Sequence, residues 1–169
     1  MAEQPQVIER LLVEESGAIA AAAADVERRR PRYAVIAARG SSDNAARYAQ
    51  HLMGRFWGIP VALATPSLHT VYDAPLRYAD GLVLGISQSG ASPDVVAVLQ
   101  AARVQGCIAV ALTNEPDSPM AAAATHVIEL HAGVEASVAA TKTYTTSLAA
   151  AAALAVAIAG DADRRAGGR

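Results

Sequence analysis

The sequence predicts an α/β protein, a three-layer αβα sandwich on a five-stranded parallel, flavodoxin-like sheet. Short, continuous apolar runs alternate with helical segments, which is the pattern of strands covered on both faces. The 169 residues are enough for one domain with a full-sized core. Because 53% of the residues are hydrophobic but only 4% are aromatic, Ala, Val, Leu and Ile must build that core.

The elements follow one another in a regular strand and helix order. Strands are predicted at 32–39, 61–64, 81–87, 107–113 and 125–130. Helices are predicted at 4–29, from the turn 40–44 to 57, at 93–105, and from about 145 to 159, with a short helical turn inside the loop 65–75. Residues 1–30 are expected to form a helix on a domain of residues 31–160, followed by a polar tail, 161–169.

Charge and composition exclude several classes of function. A net charge of −2 and a pI near 6.1 leave no basic face for nucleic acid. The one cysteine, Cys107, has no disulfide partner and lies in an apolar run, so it is not expected to act as a nucleophile. The polar start is not a secretory signal, and the apolar run 148–159 is too short to span a membrane. We expect a soluble, cytoplasmic protein with no metal site and no cofactor.

The stretch GISQSGASPD places small polar residues where the third strand turns into a helix. Its candidate ligands are Ser87, Gln88, Ser89, Gly90 and Ser92. Ser92 is expected to be the N-cap, with Pro93 at the first helical position. The free N–H groups of a helix start attract anions, Gly90 would let the backbone approach closely, and the hydroxyls add donors. The pattern predicts a phosphate site without a P-loop lysine; a merely capped turn is the alternative.

A second loop, RGSSDN, also follows a strand and opens a helix. Gly40 and Ser42 are its ligand candidates, whereas Asp43 is expected to cap the helix. The carboxyl ends of parallel strands meet at one edge of the sheet, so two such loops together favour a small polyanion as the ligand.

A third segment, GVEASVAATKTYTT, precedes the last helix. Glu135 is the candidate general base, and Lys142 is a candidate for contact with a phosphate. His69 lies in a loop that would cover the site, so a sugar contact is considered for it. His51 and His126 are assigned structural roles; for His131, which follows the fifth strand, a structural role is favoured over a contact with the site.

Together, RGSS, GISQSGASPD and VEASVAATKTYTTSLAA resemble the sugar isomerase (SIS) domain family over roughly residues 30 to 160. The resemblance is nearest to the first of the two SIS domains in glutamine–fructose-6-phosphate aminotransferases, and glucosamine-6-phosphate deaminases of the SIS type look similar. It implies that the substrate phosphate is bound by Ser42, Ser87, Gln88, Ser89 and Ser92. It also implies that the backbone of Val138 lies against the sugar, and that Ala140 replaces a frequent serine.

The resemblance is incomplete in two respects. Met1 is followed by Ala2 and not by a nucleophilic cysteine, so we do not expect this chain to release ammonia from glutamine. A second SIS domain, which supplies most catalytic groups in the tandem proteins, is not expected in it. The hypotheses are an isomerase, aminotransferase or deaminase half-site, completed in a homodimer or by another SIS domain, and a phosphosugar-binding sensor without chemistry.

Overall fold

The computed structural model of the protein describes residues 4–74, 76–133 and 141–166. Five parallel strands form one sheet in the order β2-β1-β3-β4-β5, which is the predicted flavodoxin-like order. The strands are β1 Tyr33–Ala38, β2 Val61–Leu63, β3 Gly81–Ile86, β4 Ile108–Thr113 and β5 His126–Glu129. Each lies within one residue or two of its predicted bounds.

Seven helices are found in the described residues. They are α1 Gln4–Glu14, α2 Ser16–Arg29, α3 Ser42–Trp57, α4 Ser67–Thr70, α5 Pro93–Val104, α6 Pro119–Ala123 and α7 Thr141–Ala166. Helix α4 is the predicted helical turn. Helix α7 begins earlier than predicted and continues into the segment that was expected to be a polar tail.

Two predictions about helices were wrong. The helix predicted over 4–29 is two helices, because the chain bends at Glu15 and the Ser16 hydroxyl donates a hydrogen bond to the Val13 carbonyl (2.9 Å). Helix α6 lies between β4 and β5, where only a loop was expected. The hydroxyl of its N-cap, Ser118, accepts a hydrogen bond from the Ala121 N–H, and the helix is too short for periodicity to reveal.

Alternate residues of each strand face opposite sides of the sheet, and a hydrophobic core lies on each side. On one side, Leu84 and its neighbours pack under α1, α2, α3 and α7. On the other, Val83 and its neighbours pack under α5 and α6. Gly85 allows α5 to pack closely on the sheet, because a Cβ at this position would come 2.6 Å from Cδ1 of Leu99 in α5.

Helix α7 is the one described helix that is long and apolar enough to cross a membrane, over Thr141–Gly160. Its residues Ala150, Ala151, Leu154 and Ala155 are fully buried, and the helix packs on α1, α2 and α3. We therefore interpret α7 as a core helix of the α/β domain.

Candidate functional site

A crevice opens at the carboxyl edge of the sheet between β1 and β3. From β1 the chain passes through α3 to β2, on one side, and from β3 it passes through α5 to β4, on the other. The loops that leave β1 and β3 therefore diverge, which is the arrangement at which open α/β sheets bind ligands. Both Ser/Gly-rich loops predicted from the sequence border this crevice.

The loop from β1 to α3 turns at Gly40, whose φ of +62° is in the left-handed region that glycine adopts freely. Ser41 is the N-cap of α3 and its side chain makes no capping hydrogen bond with described residues; Ser42 is the first helical residue. The predicted capping role of Asp43 is therefore wrong. Its carboxylate pairs instead with Arg47, one turn along α3, at 3.2 Å.

The loop from β3 to α5 begins with Ser87, which is buried at the strand end. Ser92 is the N-cap of α5 and Pro93 is its first residue, as predicted, but the Ser92 side chain makes no capping hydrogen bond with described residues. Within the part of the chain that the structure describes, the N-cap side chain thus leaves the first-turn amides of this 12-residue helix uncapped. Ser89 accepts a hydrogen bond from the Ala91 N–H at 3.3 Å.

The same loop is held by the end of β4 and by the residues that follow it. The carbonyl of Gln88 accepts hydrogen bonds from the Asn114 N–H (3.0 Å) and the Thr113 hydroxyl (3.2 Å). The carbonyl of Gly90 accepts one from the Met120 N–H (2.9 Å). Gly90 has a φ of +58°, and a Cβ at this position would collide with the Ser118 hydroxyl. Packing therefore explains this glycine; its predicted approach to an anion stays a prediction.

The start of α7 closes the crevice and leaves a small cleft. Its lining residues are Ser41, Ser42, Gln88, Thr143, Tyr144 and Ser147. The structure thus brings together Ser42 and Gln88 of the predicted ligands. Thr143, Tyr144 and Ser147 were missed, although hydroxyl residues four apart at a helix start were visible in the sequence. The Ser147 hydroxyl donates to the Thr143 carbonyl at 2.8 Å.

The third predicted segment is described only in part. Lys142 lies half-buried in the first turn of α7 and does not line the cleft. Glu135 and Val138 lie outside the described residues, so their predicted roles stay predictions.

His69 lies in α4 and contacts Tyr78. Its Nε2 is 2.7 Å from the Tyr78 hydroxyl, and the two rings stack with centroids 5.7 Å apart. Burial raises the pKa of Tyr78 to about 12, so the phenol keeps its proton at neutral pH. His69 does not line the cleft, and its predicted sugar contact stays a prediction.

His51 and His126 make contacts within the domain and do not line the cleft. His51 is exposed on α3, with Nδ1 2.9 Å from the Arg47 carbonyl oxygen. His126 contacts Asp25 at 3.1 Å. Burial by itself would raise the pKa of Asp25, but hydrogen bonds from His126 and Arg28 outweigh burial and lower it.

Cys107 is an unsuitable nucleophile, as expected. Its side chain is buried and its Sγ donates to the Tyr78 carbonyl at 2.7 Å. Burial raises the pKa of the Cys107 thiol, which keeps it protonated.

A parallel αβα domain with Ser-rich loops at its switch point is the architecture that the resemblance implied. Residues 29–157 match the SIS domain, and the chain belongs to that family. It is 38% identical over 113 residues to the isomerizing glutamine–fructose-6-phosphate aminotransferase of Gloeobacter violaceus, covering 67% of this chain and 18% of the relative.

Solved structures agree with this assignment. A candidate phosphosugar isomerase from Silicibacter pomeroyi superposes with a TM-score of 0.90 at 43% identity, over 97% of this chain and 50% of the other. The Vibrio vulnificus NanR protein complexed with ManNAc-6P has a TM-score of 0.75 over 97% of this chain and 63% of that one; at 17% identity it shows the shared fold alone. The chain thus spans about half of the solved Silicibacter chain and under a fifth of the Gloeobacter aminotransferase.

Proposed function

We propose that this SIS domain binds a phosphorylated sugar or amino sugar of the hexose 6-phosphate class in the crevice between β1 and β3. The observation that carries the proposal is the pair of Ser-rich loops that meet there, each leading into a helix whose N-cap side chain makes no capping bond with described residues. The phosphate would be bound by the amides at the start of α5 and by the hydroxyls of Ser42, Ser87 and Ser89.

The environment of the cleft supports a polar, anionic ligand over an apolar one. Five of its six lining residues carry a hydroxyl and the sixth, Gln88, carries an amide. Hydrogen bonds from Thr113 and Asn114 fix the Gln88 carbonyl, so the loop is preorganised and little entropy is lost when a ligand binds. We assign Tyr144 and Ser147, in the first two turns of α7, to the sugar rather than to the phosphate.

Calorimetric titration of the purified chain with fructose 6-phosphate, glucosamine 6-phosphate and free fructose tests the proposal. We expect the two phosphorylated sugars to bind and free fructose not to bind. In the variant Ser87→Ala/Ser89→Ala we expect the affinity for the sugar phosphates to fall at least tenfold, since each lost hydrogen bond to a charged group contributes roughly 1.5 kcal/mol or more.

Ser67→Ala is the matched control, because Ser67 begins α4 and lies outside both Ser-rich loops. It should bind the sugar phosphates like the unaltered chain. An absence of binding at millimolar sugar phosphate, or unchanged affinity in the double variant, would contradict the proposal.

Chemistry at this site is a separate question from binding. The described residues that line the cleft offer hydroxyls and an amide, and none of them carries a carboxylate or an imidazole. Isomerisation between C1 and C2 requires a general base, for which Glu135 is the candidate. Turnover of either sugar phosphate that is lost in Glu135→Gln with binding retained would establish an enzyme. Binding without turnover would support a sensor or partner subunit.

A homodimer would bring two such sites together. Val13 on α1 is 68% exposed and Val156 on α7 is 57% exposed, on neighbouring helices of the same face. Sedimentation at tens of micromolar should show a dimer, and Val13→Glu/Val156→Glu should shift it to monomer. A monomer in the unaltered chain would contradict the assembly but not the binding of the sugar phosphate.

A further inference from the structure

A cluster of metal-ligating side chains lies away from the crevice, where α1 meets α2 and β5 ends. Nε2 of His131 is 2.8 Å from Oε1 of Glu15, and its Nδ1 is 3.5 Å from Oε1 of Glu129. One ligand atom from each of these three residues lies within 4.8 Å of the other two. A fourth group, Glu14, has its carboxylate 3.3 Å from His131 Nδ1.

The cluster is partly buried, with Glu14 at its exposed edge (53% exposed), and it carries excess negative charge. The side chains of His131 and Glu15 are 15% and 14% exposed, and that of Glu129 is 32% exposed. Three carboxylates surround a single imidazole, which in its neutral form donates from one nitrogen only. Among the described residues, His131 is the one basic side chain found within 4 Å of these carboxylates. Neighbouring carboxylates disfavour one another's charged form, and a bound cation would relieve that repulsion.

The backbone holds these ligands in place before any ion binds. His131 has a φ of +48°, which turns the chain just after β5. Glu15 occupies the bend between α1 and α2, and its Oε2 accepts a hydrogen bond from the Glu129 N–H at 3.2 Å. This hydrogen bond fixes Glu15 relative to Glu129, and it would persist when a metal ion is bound.

We propose that Glu15, Glu129 and His131 form a binding site for a first-row transition-metal dication, with Zn²⁺ as its preferred ion. An imidazole and two carboxylates supply one nitrogen and two oxygen donors, a set that suits Zn²⁺, Mn²⁺ or Co²⁺. The imidazole distinguishes this cluster from a patch of acidic residues alone. Bond lengths near 2.0–2.2 Å require donor separations of roughly 3–4 Å, so small side-chain rotations are sufficient. The ion would replace the contact between Glu15 and His131 and clamp the N-terminal helices to the end of β5. The inference is independent of the proposed sugar-phosphate site.

Thermal unfolding of chelator-treated protein, with and without Zn²⁺, is the first test. Because the ion would bind the folded state, we expect the Tm to rise by roughly 5 °C or more at saturating Zn²⁺, and Mg²⁺ to have no effect because it disfavours imidazole. Co²⁺ should produce a visible absorption band at a stoichiometry of one ion per chain, which Zn²⁺ abolishes.

The variants separate this site from adventitious binding. His131→Asn removes the nitrogen ligand while Asn tolerates the left-handed backbone, and Glu129→Gln is nearly isosteric. Each should abolish the Zn²⁺-dependent rise in Tm and the Co²⁺ band. His51→Asn, which alters an exposed histidine on α3, should leave both signals unchanged. No rise in the Tm of the unaltered chain, or an equal rise in His131→Asn, would overturn the proposal.

Discussion

Nε of Arg39 lies 3.2 Å from Oδ2 of Asp94, so an ion pair joins the residue after β1 to the first turn of α5. The same carboxylate accepts a hydrogen bond from the Thr70 hydroxyl at 2.7 Å. Asp94 thus ties α4 and both Ser-rich loops together. It also places a negative charge beside the helix start that is proposed to bind phosphate, and Arg39 offsets that charge.

This arrangement predicts that Arg39→Ala weakens the binding of sugar phosphates about fivefold. The unpaired Asp94 carboxylate would then repel the phosphate by about 1 kcal/mol in a partly solvated site. Asp94→Asn in the same background should restore most of the affinity, because Asn still accepts the hydrogen bond from Thr70. Titration calorimetry at low and high salt measures both effects. If the double variant binds as weakly as Arg39→Ala, Arg39 contacts the ligand itself and the charge argument is wrong.

Gly90→Ala should lower the free energy of unfolding by about 2–4 kcal/mol. The added Cβ meets the Ser118 hydroxyl, and the left-handed backbone costs a further 1 kcal/mol or so. Gly40→Ala is the control, since Gly40 has a similar φ of +62° but no atom near the added Cβ. Gly40→Ala should lower the free energy of unfolding, measured in urea, by only about 1 kcal/mol. Equal losses in the two variants would show that the contact with Ser118 contributes nothing.

The raised pKa of Tyr78 predicts that the stability of the protein falls in alkaline solution. Burial raises its pKa to about 12, above the value near 10 of the unfolded chain. The unfolded state therefore loses this proton first, and the stabilisation is present below pH 10 and lost as the pH rises from about 10 to 12. Urea unfolding from pH 8 to 11.5 should show a steeper loss of stability in the unaltered chain than in Tyr78→Phe.

The exposed Tyr72 supplies the comparison for Tyr78. It is 71% exposed, and Tyr72→Phe should leave the loss of unfolding free energy with rising pH unchanged. If Tyr78→Phe retained the full slope, the loss of stability would have to come from other groups, such as Tyr33 or Cys107, whose pKa values burial also raises.

Asn114 joins the end of β4 to the segment that follows β5. Its Oδ1 accepts from the Ala132 N–H at 2.8 Å and its Nδ2 donates to the Gly133 carbonyl at 3.1 Å. Asn114→Ala should cost about 1–3 kcal/mol in unfolding free energy, because Ala132 is buried and its N–H would lose its partner. Asn114→Asp keeps the acceptor for Ala132 and should cost less. An equal cost in both variants would mean that the hydrogen bond to Ala132 is unimportant.

The strands, the layers and the position of the Ser-rich loops were predictable because each depends on local sequence, whereas the strand order was inferred from the alternation of strands and helices. A buried parallel strand is a continuous apolar run, and Ser92 with Pro93 indicates a helix start without reference to any other segment. The bend at Glu15 and the short helix α6 were not predictable from periodicity. A one-residue interruption and a five-residue helix are both too short for a periodic pattern to reveal, although Ser118 and Pro119 carry the same local start signal as Ser92 and Pro93.

The sequence by itself thus determined the SIS fold and the two loops that border the crevice. Only the tertiary structure decided that Tyr144 and Ser147 complete the cleft, that Gly90 lies on Ser118, and that Glu15 meets His131 across 116 positions of sequence. The physical reason is that a local pattern specifies an element and the residues at its ends. Side chains from distant elements become neighbours only through the register in which helices pack on the sheet, and no local pattern encodes that register.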